Sequence, residues 1–166
     1  MRRRDRELTT VDQALGVLKR CKVLRLGLVE DGLAYVVPMN FGFQLEEGGA
    51  LRLYLHSAQQ GRKLDLLRRA EKVSFEMDGG HRLLEGRGAC DFSYAYACLM
   101  GQARPVFLED LEEKRRGLAC ILRCQTGRED LEIPAAAAEK TLVLRLDVLC
   151  WTAKENPPPA KEGRPG

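Results

Sequence analysis

Three consecutive segments alternate apolar residues with polar or small ones, and this alternation constrains the fold more than any other feature of the chain. The segments cover residues 23–29, 33–45 and 50–56, and turns of three and four residues rich in Glu and Gly separate them at 30–32 and 46–49. A period of two puts successive side chains on opposite faces of a β-strand. Because the connections are this short, adjacent strands must pair antiparallel. The sequence therefore predicts a meander of β-hairpins.

Helical patterns are inserted between the strands but do not alternate with them regularly. The spacing of apolar residues predicts an N-terminal helix over 8–20 and a short helix over 60–69. A third helix is predicted over 110–123, because Asp110 and Glu113 have the spacing of a capping box.

Further strands are predicted in the second half of the chain, at 73–77, 93–106 and 141–151, and we expect residues 79–91 to form a connection with one short strand. A parallel α/β fold would need a helix between successive strands, which this order does not provide. The sequence therefore predicts a mainly β fold: a β-barrel of six or more antiparallel strands with peripheral helices.

The length and composition fit one soluble domain. The 166 residues are 45% hydrophobic and 31% charged, which is ordinary for a globular protein. No apolar run approaches the roughly 20 residues that cross a bilayer, and no apolar stretch of signal-peptide length follows the basic start. We expect a cytoplasmic domain over 1–154 and a flexible, Pro-rich tail over 155–166. With a net charge of +3 and 6% aromatic residues, neither nucleic acid nor membrane is an expected partner.

The six cysteines form no CxxC pair and have no histidine at zinc-finger spacing, so no metal site is predicted. Cys120 and Cys124 would share one face of a helix, where they could hold a metal or form a redox pair. A free cysteine more commonly behaves as a small buried hydrophobe. We therefore expect reduced and mostly buried thiols.

Residues 56–63 join the end of a predicted strand to the start of a helix and carry the groups that a phosphate needs. They include the Ser57 hydroxyl, the Arg62 and Lys63 cations, and free backbone N–H groups. The spacing also fits a routine loop in which Ser57 caps the helix and both cations are solvated. His56 could donate a proton or bind haem iron, or could merely hydrogen-bond the turn.

A second candidate segment is 35–42, where Pro38 interrupts an otherwise well-patterned strand. Proline removes one donor from the strand ladder, and this break frees neighbouring backbone groups to meet a ligand. The common phosphate-loop patterns, GxGxxG after a strand and GxxxxGK followed by Ser or Thr, do not occur. Rossmann and P-loop enzymes are therefore set aside.

Taken in order, these segments resemble the Nim-type nitroimidazole-resistance proteins of the pyridoxamine 5′-phosphate oxidase-like superfamily. The resemblance rests on 25–29, 35–42, 53–63 and 73–78, and it spans residues 1–154. It continues through the following later positions: Cys90, Tyr94, Tyr96, Gly101, Glu113 and Lys114.

The resemblance implies an FMN-binding split β-barrel that forms a homodimer with two cofactor sites at the subunit interface. It implies that Ser57, Arg62 and Lys63 hold the FMN phosphate and that residues 37–40 lie along the isoalloxazine ring. Aromatic residues of the other subunit would close the site. The residues assigned to cofactor binding are Val37, Pro38, Met39, Asn40, His56, Ser57, Arg62, Lys63, Tyr94, Tyr96 and Trp151.

The leading functional expectation is an FMN-dependent oxidoreductase that passes electrons, with NAD(P)H as donor, to a small planar or nitroaromatic acceptor. His56 is the candidate catalytic proton donor. A second interpretation is a non-catalytic flavin- or haem-binding sensor or carrier, and a nucleic-acid-binding barrel ranks last. The chain lacks, over 144–152, the basic His-containing stretch of the vitamin B6 oxidases, so that oxidation is not expected.

Overall fold

The meander predicted from the alternating segments is present, and a two-residue strand precedes it. In the computed structural model, which describes residues 3–157, the strands of this half are β1 (Glu7–Leu8), β2 (Val23–Glu30), β3 (Leu33–Leu45) and β4 (Leu51–Ser57). Leu26 lies opposite Val37 in the β2–β3 register, and Phe41 lies opposite Leu55 in the β3–β4 register. Leu26, Phe41 and Leu55 are fully buried. The apolar face of the alternation is therefore the face that packs inwards.

Three long strands complete the sheet: β5 (Val73–Leu84), β6 (Ser93–Phe107) and β7 (Leu142–Asn156). The strand order is β1-β7-β4-β3-β2-β5-β6, every neighbouring pair is antiparallel, and β6 also pairs with β7. Inward-facing side chains of β2 to β7 form one apolar core. The predicted mainly β architecture is confirmed.

Four α-helices lie around the sheet within residues 3–157: α1 (Val11–Arg20), α2 (Arg62–Arg69), α3 (Leu111–Thr126) and α4 (Ala135–Lys140). In α1 the Thr10 hydroxyl accepts from the Gln13 N–H at 3.3 Å, while the Gln13 side chain accepts from the Thr10 N–H at 3.1 Å. In α3 the Asp110 carboxylate accepts from the Glu113 N–H at 2.8 Å. None of these helices has the length and apolar character that crossing a membrane requires.

Helix α3 covers one end of the outer sheet surface and leaves the other end open. A Cβ at Gly42 would lie 2.5 Å from backbone atoms of both Cys120 and Ile121, so the helix touches β3 directly. Val36, on the same face of β3 but six residues earlier, is 55% exposed. The outer surface around Val36 is therefore available for a ligand or another chain.

Two predicted boundaries differ from the structure because of pairing with distant strands. The first helix begins at Val11 rather than at residue 8, because Glu7 and Leu8 pair with Lys154 and Ala153 of β7. The last strand continues to Asn156 and so includes the first two residues of the predicted tail. Residues 158–166 of that tail lie outside the described residues.

Residues 79–91, predicted as a connection with one short strand, form a strand over 79–84 and a connection after it, but the strand is the continuation of β5 and not a separate element. Strand β5 continues to Leu84 and pairs with β6 on both sides of an irregularity between Gly79 and Arg82. A bulge of this kind bends a strand without ending it. Helix α4 was not predicted from the sequence.

Candidate functional site

The turn between β4 and α2 places Ser57 at the end of a strand and Arg62 at the start of a helix. The helix N-cap is Gly61, with φ of 136° and no capping side chain. Ser57 therefore does not cap α2. Its hydroxyl oxygen is buried and has no hydrogen-bond partner among the described residues. An unsatisfied buried hydroxyl is uncommon in native proteins and calls for an explanation.

The two cations of this turn differ in their surroundings. The Arg62 Nε donates to a Glu30 carboxylate oxygen at 2.6 Å, and its guanidinium lies 4.3 Å from the centre of the Tyr35 ring. The structure thus corrects the interpretation that Arg62 is simply solvated. Lys63 is half-buried and has no ion-pair partner within residues 3–157. Lys63 is therefore the cation of this turn that is free to meet an anion.

An open apolar groove of about 570 Å³ crosses the outer face of the sheet. Its walls include Val36 of β3, Phe75 of β5, Met100 of β6 and Trp151 of β7. Gly101 is required between these strands, because a Cβ there would lie 2.6 Å from the Phe75 ring. The groove can receive a flat apolar group about as large as a bicyclic or tricyclic ring.

One rim of the groove carries a charged network. The Arg25 Nη1 donates to Glu76 at 3.0 Å and also to the Asp78 carboxylate. These hydrogen bonds, first to Asp78 and then to Glu76, raise the pKa of the Arg25 guanidinium. Arg25 is therefore a fixed cation whose charge is already balanced by two carboxylates.

The groove continues towards α2. A second cavity of about 400 Å³ shares Gly27 and Ser74 with the groove, and it is lined further along by Glu30, Arg69 and Lys72. Glu30 is also the partner of Arg62. With Asp31 also in its lining, the second cavity is polar with balanced charges, and it meets the apolar groove where β2 and β5 pass α2.

Residues 37–40, predicted to lie along a cofactor ring, divide between the two faces of β3. Met39 is buried in the core and Val37 packs against it, whereas Pro38 and Asn40 are exposed on the outer face. Pro38 lies opposite Arg25, a residue of the groove. The outward members of the segment are therefore the ones that a ligand on this surface can reach.

His56 and Asn40 share a different pocket. They line a cavity of about 330 Å³ together with Leu118, Ile121 and Gln125 of α3. The Asn40 amide donates to the Lys22 carbonyl and to Gln125, each at 3.2 Å, which ties β3 to the end of α3. His56 is exposed on the outer face of β4. The structure thus separates His56 from both Ser57, which points inwards, and the groove.

The predicted aromatic residues also separate. Trp151 lines the groove, whereas Tyr94 and Tyr96 lie further along β6, where the strand pairs with Leu83 and Asn156. Tyr94 is 51% exposed, and the Lys154 ammonium lies 5.5 Å from the Tyr96 ring centre. Within one subunit, Trp151 is the one of these three that lies at the groove.

Sequence reasoning missed most of the groove. Phe75 and Met100 were assigned to strands without a functional role, and Arg25 was noted only as part of the family resemblance. The exposure of Met100 depends on which elements cover β6. The alternation of residues along the strand does not predict those elements. The sequence did contain one signal for this surface, because Arg25 and Glu76 are opposite charges on two neighbouring strands. They lie directly opposite each other in the structure, and such a charge pair marks the outward face of a sheet.

The strand order and the inserted helices define a split β-barrel of the pyridoxamine 5′-phosphate oxidase-like type. A sequence model of the family described as pyridoxamine 5′-phosphate oxidase matches residues 10–155, and the chain belongs to that family. Both the split-barrel fold and the family expected from the sequence are confirmed. Among curated proteins, no match was found.

Solved structures share this fold over most of the chain. A candidate 5-nitroimidazole antibiotic resistance protein from Bacteroides thetaiotaomicron superposes with a TM-score of 0.76 at 28% identity, covering 90% of this chain and 86% of that one. The flavocytochrome Anf3 from Azotobacter vinelandii has a TM-score of 0.73 at 21% identity, with coverages of 98% and 75%. An FAD- and haem-binding protein from Mycobacterium smegmatis has a TM-score of 0.75 at 17% identity, with coverages of 93% and 76%. The last two show the fold alone.

Proposed function

We propose that this protein binds FMN and acts as a flavin-dependent oxidoreductase on small planar or nitroaromatic acceptors. The observation that carries the proposal is the β4–α2 turn, where the Ser57 hydroxyl and the Lys63 cation both lack a partner among residues 3–157. Leaving a buried hydroxyl unsatisfied costs about 1–3 kcal/mol, which a bond to a phosphate oxygen would offset. FMN carries such a phosphate, and riboflavin does not.

The groove supports a flat ring system as the second part of the ligand. Its volume of about 570 Å³ lies within the usual size of a small-molecule site, and its walls are mainly apolar. Val36 and Trp151 would exclude water from one side of a bound ring. When bound, FMN supplies the electron and hydride chemistry. The protein's own task is to hold the ring and leave room for an acceptor.

The acceptor class follows from the charge of the groove. Arg25 is a cation of its lining, and Glu76 and Asp78 already pair with it. A second phosphate therefore finds no free cation among the described residues of this groove. An uncharged planar acceptor needs none, so we propose nitroaromatic reduction and do not propose oxidation of pyridoxamine 5′-phosphate. The similarity to the protein from Bacteroides thetaiotaomicron supports the same choice.

We further propose that the working form is a homodimer whose partner subunit completes the site. The groove is open to solvent, and Met100 and Leu149 beside it are 41% and 45% exposed. Tyr94 is exposed on the same strand as Met100. A partner subunit would cover these apolar side chains and bring aromatic residues to the open side of a bound ring.

The absorption spectrum of the purified protein, followed by mass spectrometry of the released small molecule, tests this proposal. We expect a flavin spectrum and the mass of FMN. A haem Soret band without flavin would contradict the cofactor assignment. With FMN bound, NADH or NADPH should reduce the protein, and a nitroaromatic compound should reoxidise it over many turnovers. Reduction without turnover of any acceptor would support a carrier instead, and rapid turnover of pyridoxamine 5′-phosphate would contradict the acceptor class.

A further inference from the structure

A pair of thiols on α3 lies outside the proposed flavin site and in a strongly cationic setting. Cys120 is buried and Cys124 is partly exposed, one helical turn later. Cys124 lines a cavity of about 410 Å³ together with Lys19, Lys22 and Arg123. Neither thiol contributes to the groove or to the β4–α2 turn. The proposed flavin function therefore does not explain this cavity.

Among the described residues, four charged groups line this cavity with Cys124, each from a different part of the chain. Lys19 comes from α1, Lys22 from the connection to β2, and Arg123 from α3 itself, while Glu129 after α3 is the one acidic residue of the lining. A neighbouring cavity of about 480 Å³ shares Arg123 and Glu129 and adds Arg116 and Arg128. Asp130 pairs with Arg128, but the remaining cations still outnumber the acidic groups, so the charge around this part of α3 is positive and an anion would be attracted to it.

Lys22 also offsets the negative end of the helix. Its ammonium donates to the carbonyl of Cys124 at 2.6 Å and to that of Gln125 at 3.3 Å. The C-terminal end of a helix otherwise disfavours a negative charge. With this cation in place, a thiolate at Cys124 is stabilised instead of repelled.

Cys120 lies one helical turn before Cys124, and its thiol donates to the Phe43 carbonyl at 3.0 Å. Donation from Cys120 lowers the pKa of Cys124 to about 6, with Arg123 and Lys22 adding to the effect against burial. The same bond and burial raise the pKa of Cys120. We assign to the Cys120 thiol a switch of acceptor: it donates to the Phe43 carbonyl when Cys124 is protonated and to the Cys124 sulfur when Cys124 is a thiolate. Cys120 is a positioning residue, and Cys124 is the nucleophile.

An internal disulfide between the two does not fit the helix. Side chains four residues apart on a helix have Cβ atoms about 5–6 Å apart, whereas a disulfide needs about 3.5–4.5 Å. Cys120 is therefore not the disulfide partner of Cys124.

We propose that Cys124 is a nucleophilic thiol that undergoes exchange with small anionic disulfides. The Cys124 thiolate attacks one sulfur of the reagent, a new S–S bond forms, and the original S–S bond breaks. The second half of the reagent leaves as a thiolate, so electrons and charge balance without another oxidant or proton. The cations of the cavity attract the anionic reagent and stabilise the mixed disulfide that it leaves.

The test uses two disulfide reagents on the full-length protein, with peptide mapping to identify each labelled cysteine. One reagent is the dianion 5,5′-dithiobis(2-nitrobenzoate), and the other is the neutral 2,2′-dithiodipyridine. The exposed thiol Cys90 serves as the internal comparator. At about pH 6 we expect Cys124 to react about tenfold faster than a thiol of ordinary acidity, because its larger thiolate fraction outweighs its lower intrinsic nucleophilicity. Labelling of Cys124 no faster than of Cys90 at that pH would overturn the proposal.

Charge variants separate the cationic cavity from simple exposure. Arg123→Gln should slow labelling of Cys124 by the dianion more than by the neutral reagent, and added salt should remove that difference. Arg87→Gln, an exposed arginine between β5 and β6, is the matched control and should change neither rate. Equal effects of Arg123→Gln on both reagents would contradict electrostatic recognition.

A Cys120→Ala variant tests the positioning role. It should move the midpoint of the pH profile of Cys124 labelling upwards, while circular dichroism confirms that the chain remains folded. An unchanged midpoint in the folded variant would contradict the role of Cys120. All these measurements are independent of flavin binding, so their failure leaves the proposed function intact.

Discussion

Arg62 is a suitable residue for binding a phosphate, but its guanidinium already contacts another part of the chain. The sequence placed it in a phosphate-binding turn, but its guanidinium contacts Glu30, 32 residues earlier, and stacks on Tyr35. A guanidinium has five N–H donors, so one carboxylate does not exhaust it. A phosphate at this turn would nevertheless compete for Arg62 with the Glu30 carboxylate, which is also negatively charged.

We therefore expect Glu30→Gln to strengthen FMN binding. Removing the competing carboxylate should tighten FMN by about two- to fivefold, the factor that a surface ion pair of roughly 0.4–1 kcal/mol gives. Riboflavin affinity should not change, because riboflavin lacks the phosphate. Isothermal titration with both ligands measures this, and Glu71→Gln on the α2–β5 connection is the matched control. Weaker FMN binding by Glu30→Gln would mean that the ion pair organises the turn.

His56 gives a second prediction at this scale. Because it lines the pocket with Asn40 and α3 and lies away from the groove, we expect His56→Ala to keep acceptor reduction within about threefold of wild type at saturating substrate. A positioned proton donor typically contributes 10²- to 10⁴-fold. Steady-state kinetics with a nitroaromatic compound distinguishes a His56 that takes no part in catalysis from a His56 that donates a proton. A loss of a hundredfold or more would restore His56 as the general acid.

At the scale of elements, the close contact between α3 and β3 fixes the position of the helix on the outer surface of the sheet. Gly42→Ala would place a Cβ 2.5 Å from the backbone of Cys120 and Ile121, and neither backbone can move without shifting the helix. We expect a loss of about 1–3 kcal/mol in the free energy of unfolding, the usual cost of overpacking.

Denaturant unfolding measures this cost as a lower midpoint at an unchanged slope. Gly16→Ala in α1 is the control, since a Cβ there meets nothing within 4 Å and alanine favours a helix by roughly 0.5–1 kcal/mol. It should stabilise the protein. A Gly42→Ala variant as stable as wild type would show that α3 shifts easily on the sheet.

The elements with strong local signals could be predicted from the sequence. Strand β3 has the predicted bounds, and α3 begins after its Asp110 cap as expected. Strand β1 could not be predicted, because two residues gain strand geometry only by pairing with β7 at the far end of the chain. Helix α4 was missed because its run of alanines has high helix propensity but no apolar stripe.

The sequence predicted some of the residues of the candidate site but not how the strands bring them together. The turn with Ser57 and Lys63 was visible as a polar segment between a strand and a helix. The groove was not, because five strands contribute to it and only their order brings Val36, Phe75 and Trp151 together. A sequence pattern assigns each residue to a face but does not say which faces become neighbours.

At the scale of the whole molecule, the exposed apolar side chains of β6 and β7 predict a homodimer. We expect sedimentation at micromolar concentration to show a dimer, and Leu149→Asp to shift it towards monomer and weaken FMN binding by tenfold or more, because a buried charge disfavours the interface. Leu45→Asp, at the exposed end of β3, is the control and should remain dimeric. A wild-type monomer that binds FMN tightly would contradict a site shared between subunits.

The most direct test of the account is the affinity of Lys63→Ala for FMN compared with riboflavin. Loss of a hydrogen bond to a charged group should weaken FMN binding by about 1.5–3 kcal/mol, or roughly ten- to more than a hundredfold. Riboflavin binding should change little, and Lys140→Ala, an exposed lysine at the end of α4, should change neither. If Lys63→Ala weakens both ligands equally, or neither, the β4–α2 turn does not hold the phosphate and the central claim is wrong.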